Sequence, residues 1–174
     1  CQTSITEKII EGKGDYKDVA LAVQMGTYNG RSSSSMAPDA PISRQEAMTV
    51  VARALELDYD AYAKTDLSAF SDRSEISNWA LPYVRAMVGA DYIHGRTKGL
   101  EPLDNITRAE FAAIATRFDN NGDKTPVSFT DVIGHWAEGE ITVAANHGWV
   151  SGYGDNTFRP QNQITRAETM SLVN

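Results

Sequence analysis

The 174-residue chain lacks several features that would each indicate a class of protein. One cysteine cannot form an internal disulfide, and with three scattered histidines it offers no spacing typical of a zinc site. No apolar run approaches the ~18 residues that a membrane span requires. Lysine and arginine number 16 against 23 aspartates and glutamates, and the formal charge of −7 argues against a surface that follows nucleic-acid phosphates. We therefore expect no metal, no nucleic acid partner and no membrane span.

The N-terminus also lacks the basic, then apolar, then small-residue order of a secretory signal peptide. Cys1 has two interpretations, either a lipid-modified residue left by signal cleavage or a plain chain boundary. Hydrophobic residues make up 41% of the chain, and 3 Trp, 7 Tyr and 5 Phe add material for a core. We expect a folded, soluble protein, or an excised piece of a longer one.

An internal repeat dominates the sequence. LEPLDNITRAE (100–110) matches FRPQNQITRAE (158–168) at the Pro, Ile, Thr, Arg, Ala and Glu, and MAPDAPISRQE (36–46) keeps most of these positions. Upstream, 70–95 parallels 129–152, each with Phe-x-Asp, Trp-Ala and a closing glycine, whereas the first copy has lost this opening. The predicted units are 1–60, with a degenerate N-terminal half, then 66–120 and 126–174.

Each unit is predicted to form a helix, a loop and a second helix. The first helix carries apolar residues at the 3.6-residue period, namely Ala80, Val84, Met87 and Val88 in unit two and Ala137, Ile141, Ala144 and Ala145 in unit three. The second helix begins at a hydroxyl residue followed three positions later by Glu, which is a capping box: Ser43 with Glu46, Thr107 with Glu110, and Thr165 with Glu168. An isoleucine precedes each cap, where it would pack on the first helical turn: Ile42, Ile106 and Ile164.

No single unit can bury both of its apolar stripes. We therefore predict an all-α fold in which three helix-loop-helix repeats pack around shared apolar faces. The sequence stops about ten residues into the second helix of unit three, so we expect that helix to be short and its C-terminus to fray.

Stability alone does not explain an arginine at the first position of each second helix, Arg44, Arg108 and Arg166. A cation at the positive end of a helix is disfavoured by a few tenths to ~1 kcal/mol. In one interpretation, free helix N–H groups, the guanidinium and a nearby glycine-bearing loop bind a small anion such as a carboxylate or phosphate. In the other, each arginine pairs with an acid of an adjoining unit and serves assembly only.

Together these motifs resemble the S-layer homology (SLH) repeat, and the resemblance covers essentially the whole chain. Units two and three carry almost every position of the family pattern, namely Phe70, Asp72, Trp79, Gly95, Pro102 and Thr107 to Glu110, then Phe129, Asp131, Trp136, Gly152, Pro160 and Thr165 to Glu168. The resemblance implies a pseudo-threefold bundle of three repeats on an extracellular bacterial protein. Such a module attaches its host to the cell wall or S-layer without catalysis and without a cofactor.

Many members of this family hold a secondary cell wall polysaccharide in grooves between repeats, where the arginine of the TRAE motif contacts the carboxylate of a pyruvylated sugar. Carried over by position, this role falls on Arg108 and Arg166, and on Arg44 in the SRQE variant. The predicted ligand-binding set further includes Gly95, Gly152, Gly154, Trp79 and Trp136. Because unit one lacks the usual opening, the groove that it helps to form is expected to be altered or inactive.

Several residues have a simpler structural interpretation. Trp79 and Trp136 could stack on sugar rings, but each begins an apolar helical face, and packing in the core is the favoured reading. Asp72 and Asp131 are expected to stabilise turns. The segment 119–125 opens like a calcium loop, but Lys124 occupies the position that requires glycine, so we interpret it as a linker.

Two alternative functions stay open, and a third is disfavoured. The chain could be a structural array that docks another envelope protein through its grooves, or the anchoring part of a cell-wall-acting enzyme. An enzyme in its own right, such as a glycosidase with two carboxylates, is disfavoured because the repeated glutamates are explained as capping partners.

Overall fold

The computed structural model describes residues 39–117 and 122–170. Within these ranges the chain is helical and has no β-strand, which confirms the all-α prediction. The elements are α1 (Arg44–Ala54), a 3₁₀ helix (Arg73–Glu75), α2 (Leu81–Gly89), α3 (Arg108–Thr116), α4 (Glu138–Asn146) and α5 (Arg166–Met170). The described residues do not include Cys1, the predicted first helix and serine-rich loop of unit one, or the extreme C-terminus.

All three predicted capping boxes are present. The hydroxyls of Ser43 and Thr107 accept from the amides of Glu46 and Glu110, and both glutamates accept from the amide of their capping residue. At Thr165 the same pair of bonds to Glu168 measures 3.2 and 2.8 Å. The second helix of every unit therefore begins at the residue that the sequence predicts.

The predicted apolar stripes form the core. The positions that are fully buried include Ala80, Val84 and Met87 in α2 and its approach, Phe111 and Ala115 in α3, and Ala137, Ile141 and Ala144 at α4. Val88 and Ala145 are half-buried at the edge of the same cluster. Helix α1 packs on α2, and α3 packs on α4, so the second helix of one unit packs on the first helix of the next. This interlocking supplies the neighbours that each unit needs in order to bury its apolar faces.

The three units meet around a pseudo-threefold axis formed by the isoleucines that precede the caps. The amide of Ile42 donates to the carbonyl of Ile164, that of Ile106 to Ile42, and that of Ile164 to Ile106, at 3.1 to 3.2 Å. All three side chains are at most 1% exposed. The closed triangle of backbone hydrogen bonds joins the units at the point where the second helices begin.

The aspartates of the Phe-x-Asp openings stabilise the loop that follows the first helix of their own unit. Asp72 accepts from the amides of Leu100 and Glu101 at 3.0 and 2.6 Å. Asp131 accepts from Phe158 and Arg159 at 2.8 and 2.7 Å. Glu101 and Arg159 have left-handed backbone conformations, with φ of 47° and 57°. The expected turn role therefore extends to a turn almost thirty residues further along the chain.

The favoured placement of the two tryptophans was wrong. Trp79 is 52% exposed and Trp136 is 61% exposed, and the buried residue at each position is the following alanine, Ala80 or Ala137. The Trp-Ala pair lies just before the first helix, where the indole projects from the surface and the alanine enters the core. Both indoles are therefore available to a ligand.

Candidate functional site

The three arginines at the helix starts form a closed ring of ion pairs around the pseudo-threefold axis. Each guanidinium contacts the capping glutamate of the next unit: Arg44 lies 3.2 Å from Glu110, Arg108 contacts Glu168, and Arg166 lies 2.8 Å from Glu46. The arginines are only 3 to 4% exposed. Their position at the interface agrees with the assembly interpretation of the repeated arginine.

Backbone carbonyls complete the surroundings of these guanidinium groups. Arg44 Nε donates to the carbonyl of Leu100 at 2.8 Å, and Arg108 Nε donates to the carbonyl of Phe158 at the same distance. Arg108 also donates to the carbonyl of Ser151, and its guanidinium lies over the ring of Phe158 at 4.4 Å. Because each bond crosses to the next unit, the arginine side chain links two units.

The supposition that the helix starts carry free N–H groups was wrong. The amides of Arg44, Arg108 and Arg166 donate to carbonyls of the neighbouring unit at 2.8 to 3.0 Å. The next amides of α1 and α3 donate to the carbonyls of Pro102 and Pro160. The amide of the third residue of each helix donates to the capping hydroxyl. A ligand at this site would have to use side-chain donors rather than these first helical amides.

Two of the capping glutamates, Glu110 and Glu46, are held as carboxylates. Burial alone would raise the pKa of Glu110, but hydrogen bonds from Arg96 and the Thr107 amide and the charge of Arg44 lower it below its ordinary value. The pKa of Glu46 is lowered in the same way, against burial, by Ser43 and Arg166. A general acid needs a raised pKa, so these glutamates are unsuited to that role.

A hollow of about 220 Å³ opens where the three units meet beside Arg44. Unit two supplies most of its lining, and unit three supplies Trp136 at its edge. Its polar and aromatic lining residues are Arg44, His94, Arg96, Glu110, Arg117 and Trp136. Its lining holds three guanidinium groups and one carboxylate, and Glu101 and Asp104 also pair with Arg96, at 2.7 and 3.6 Å.

Arg96 and Arg117 are the more accessible cations of the hollow. Arg96 binds both oxygens of Glu110 at 2.6 Å and keeps 26% of its side chain exposed. The Glu110 hydrogen bonds raise the pKa of Arg96 above its ordinary value. Arg117 donates to the carbonyl of Tyr92 and is half-buried. Its remaining donors have no partner among the described residues.

The structure brings three of the predicted site residues together in this hollow, Arg44, Gly95 and Trp136. Gly95 is required sterically as well, because a Cβ there would lie 2.8 Å from the Phe70 ring and the backbone has φ of +79°. The other predicted residues lie elsewhere around the ring. Arg108 lies near Ser151 in the loop of Gly152 and Gly154, and Arg166 pairs with Glu46, whereas Trp79 lines neither hollow.

Sequence reasoning missed His94, Arg96 and Arg117 as candidates. The repeat comparison hid Arg96 and Arg117 because unit three carries Tyr153 at the position of Arg96 and the sequence ends before the position of Arg117. A signal was present in unit one, since Arg53 occupies the position of Arg117 relative to the TRAE-like motif. Residues that differ between repeats can therefore distinguish one groove from another.

Every helix in the described part of the chain is too short or too polar to span a membrane. No three His, Cys, Asp or Glu side chains in residues 39–117 and 122–170 come together as a metal site.

The sequence matches the S-layer homology domain family over residues 10–48, 69–112 and 128–170, more than half of the chain. It is similar to cell surface glycoprotein 1 of Acetivibrio thermocellus, 32% identical over 83% of this chain and 7% of the relative. A cellulosome-anchoring protein of the same organism is 33% identical over 79% of this chain and 32% of the relative. An amylopullulanase of Thermoanaerobacterium thermosulfurigenes is 29% identical over 83% and 8%.

The chain thus spans less than a third of each of these relatives, and the shared segment is a module that occurs in proteins with different names. Each of the three family matches falls within one of the units that the repeat predicts, and the described helices agree with them. The chain belongs to the S-layer homology domain family, with three tandem repeats.

Proposed function

We propose that this chain is a non-catalytic anchoring module that binds an anionic, pyruvylated cell wall polysaccharide in the hollow beside Arg44. The observation that carries the proposal is the arginine-lined hollow between units, with an exposed indole at its edge. A pyruvyl carboxylate would accept from the guanidinium groups, and the indole face of Trp136 would pack on a sugar ring. Family membership and the cell-surface and cellulosome-anchoring names of the relatives support an extracellular role at the bacterial cell wall.

The hollow offers guanidinium donors in a partly buried setting. Burial and the neighbouring charge of Arg96 lower the pKa of Arg44, whereas the carboxylates of Glu110, Glu101 and Asp104 act in the opposite direction. A carboxylate that enters this partly desolvated site would gain charge-assisted hydrogen bonds from the guanidinium groups. In this proposal Arg117 binds the carboxylate directly, and Arg96, which Glu110 and Glu101 hold in place, contributes through its exposed part.

The ring of arginine-glutamate ion pairs relates the remaining predicted site residues to those beside Arg44 by pseudo-threefold symmetry. We propose that Arg108 with Gly152 and Gly154, and Arg166 with Trp79, line the two related grooves. Because Arg108 and Arg166 are as buried as Arg44, their contribution would depend on accessible cations or aromatic groups beside them. In the groove of Arg108 this neighbour is Tyr153, whose hydroxyl lies 3.4 Å from Glu168.

Isothermal titration with pyruvylated and depyruvylated wall polysaccharide tests the proposal. Binding is expected only to the pyruvylated form. Arg117→Gln should weaken it about tenfold or more, as expected for a lost charge-assisted hydrogen bond. Trp136→Ala should weaken it by a similar factor without changing the melting temperature, since the side chain is 61% exposed. Ile133→Ala is the matched control, because Ile133 is 78% exposed and lies outside the hollow.

Three results would contradict the proposal. Equal binding to both polysaccharides would remove the carboxylate from recognition. No binding to either by the folded protein would favour docking to another envelope protein. Turnover of the glycan would indicate an enzyme.

A further inference from the structure

A second hollow, of about 510 Å³, lies between the linker that joins units one and two and the helices that follow it. Its lining includes Lys64, Asp66 and Leu67 from the linker, Arg73 from the 3₁₀ helix, and Leu81 and Arg85 from α2. None of them lines the hollow beside Arg44. This second hollow is therefore a separate feature with its own chemistry.

The second hollow is basic. It has three cationic side chains and one carboxylate, in a chain whose formal charge is −7. The carboxylate of Asp66 accepts from the amide and hydroxyl of Ser68 at 2.8 and 2.7 Å, and it makes no ion pair with Lys64, Arg73 or Arg85 within 4.0 Å. The lining of the second hollow thus has more cationic than anionic side chains.

These cations have few protein partners. Arg85 Nη1 donates to the carbonyl of Ala63 at 3.0 Å, while Arg85 Nε is buried and has no hydrogen-bond partner. Arg73 donates once, to the carbonyl of Phe70 at 3.3 Å. Lys64 has no hydrogen bond or ion pair within the described residues. Lys64 and Arg73 are exposed and use at most one donor within the described residues, so their remaining donors can bind an anion that enters the hollow beside Arg85.

The repeat does not require this arrangement. Thr142 of α4 occupies the position of Arg85, and its hydroxyl donates to the carbonyl of Glu138 within the helix at 2.8 Å. Glu138 itself stands at the position of Leu81. Because unit three forms the same helix without these residues, the fold alone does not account for the basic character of the hollow.

We propose that this second hollow binds a phosphate group, either on a phosphate ester or as inorganic phosphate. Two guanidinium groups and an ammonium match the several oxygens of a phosphate better than the two of a single carboxylate. Leu67 and Leu81 provide apolar surface for the carbon skeleton of an ester. The site is independent of the proposed polysaccharide hollow, since the two have no lining residue in common.

The test uses two-dimensional NMR of the whole chain at constant ionic strength, titrated separately with inorganic phosphate, glycerol 3-phosphate and acetate. Saturable shifts are expected for both phosphate probes at amides of 63–68, 73, 81 and 83–85, with acetate at least tenfold weaker. Tighter binding of glycerol 3-phosphate than of inorganic phosphate would identify an ester as the ligand. Equal or weaker binding would identify free phosphate.

Variants separate a built site from general attraction. The exposed pair Lys64→Gln and Arg73→Gln together should weaken phosphate binding at least tenfold and leave the melting temperature unchanged. Lys124→Gln, an exposed lysine of the linker between units two and three, is the matched control and should bind as wild type. Arg85→Lys keeps the charge but loses the fork, and should weaken binding without abolishing it.

Linear, non-saturable shifts, shifts spread over the whole surface, or wild-type binding by the double variant would each overturn the proposal. The double variant should still bind pyruvylated polysaccharide with unchanged affinity. Loss of one activity with retention of the other therefore shows which of the two proposals has failed.

Discussion

At the scale of single residues, the arginine that begins each second helix is explained by its neighbours rather than by its own helix. A cation at a helix N-terminus is mildly unfavourable. Here Arg108 is 3% exposed and contacts Glu168, two backbone carbonyls and an aromatic ring. These contacts offset both the helix dipole and the loss of hydration, so the arginine serves as a clamp between units.

We predict that Arg108→Gln lowers the free energy of unfolding by about 3 kcal/mol, because it leaves a partly buried carboxylate and two carbonyls without their donor. Urea denaturation followed by circular dichroism measures the change. Arg159→Gln is the control, since Arg159 is 45% exposed and its contacts with Asp155, Thr157 and the Tyr153 ring lie at the surface. Its effect should stay within about 0.5 kcal/mol. An Arg108→Gln protein with wild-type stability and weaker polysaccharide binding would show that ligand capture is the main role of this arginine.

At the scale of elements, each unit is held together by contacts between its opening and the loop after its first helix. Phe129 packs against Gly152, and Asp131 two residues later accepts from two amides of the following turn. Phe70, Asp72 and Gly95 repeat the arrangement in unit two. The Phe-x-Asp motif and the distant glycine therefore belong to one packing unit, although they are more than twenty residues apart in sequence.

Gly152→Ala should destabilise the protein by about 1 to 3 kcal/mol, the usual cost of overpacking. An added Cβ would lie 2.1 Å from the Phe129 ring, so the ring or the loop must shift. Differential scanning calorimetry measures the effect. Gly154→Ala is the matched control, because no atom lies within 4 Å of the added Cβ. Similar melting temperatures for the two variants would contradict the packing argument, whereas rescue of Gly152→Ala by Phe129→Leu would support it.

At the scale of the whole molecule, the three units depend on one another. The chain belongs to the S-layer homology domain family, whose place is the cell surface. The isoleucine triangle and the arginine-glutamate ring both close only when all three units are present. Because every unit contributes one donor and one acceptor to the ring, the loss of one unit removes partners from both neighbours. The module is therefore expected to unfold as one cooperative body.

We predict that this stability is lost in acid. The folded-state pKa values of Glu46 and Glu110 lie below the ordinary 4.5, so their contribution is complete above about pH 4.5 and falls as the pH drops through the lower folded values. Melting temperatures measured from pH 7 to pH 3 should fall below pH 4.5. Glu110→Gln should lower the melting temperature at pH 7 and flatten the acid dependence. A constant melting temperature down to pH 3 would contradict the prediction.

The sequence alone was sufficient for the described helices, the starting points of the second helices and the repeat. The capping boxes involve residues three apart, and the apolar stripes follow the helical period, so both are local patterns that a sequence displays directly. Recognition of the family likewise rested on spaced motif positions such as Trp136, Gly152 and Arg166. These features carry over because they depend on short-range geometry.

Tertiary structure decided which partners the charged and aromatic residues have. Only the closed pseudo-threefold ring brings Glu110 to Arg44 from sixty-six residues away, and only the packing of the units leaves Trp136 exposed beside Arg96 and Arg117. The sequence could not indicate this, because burial and pairing depend on which units become neighbours. The periodicity that defines a helix is a local property, whereas the charge balance of a groove is a sum over residues that only folding brings together.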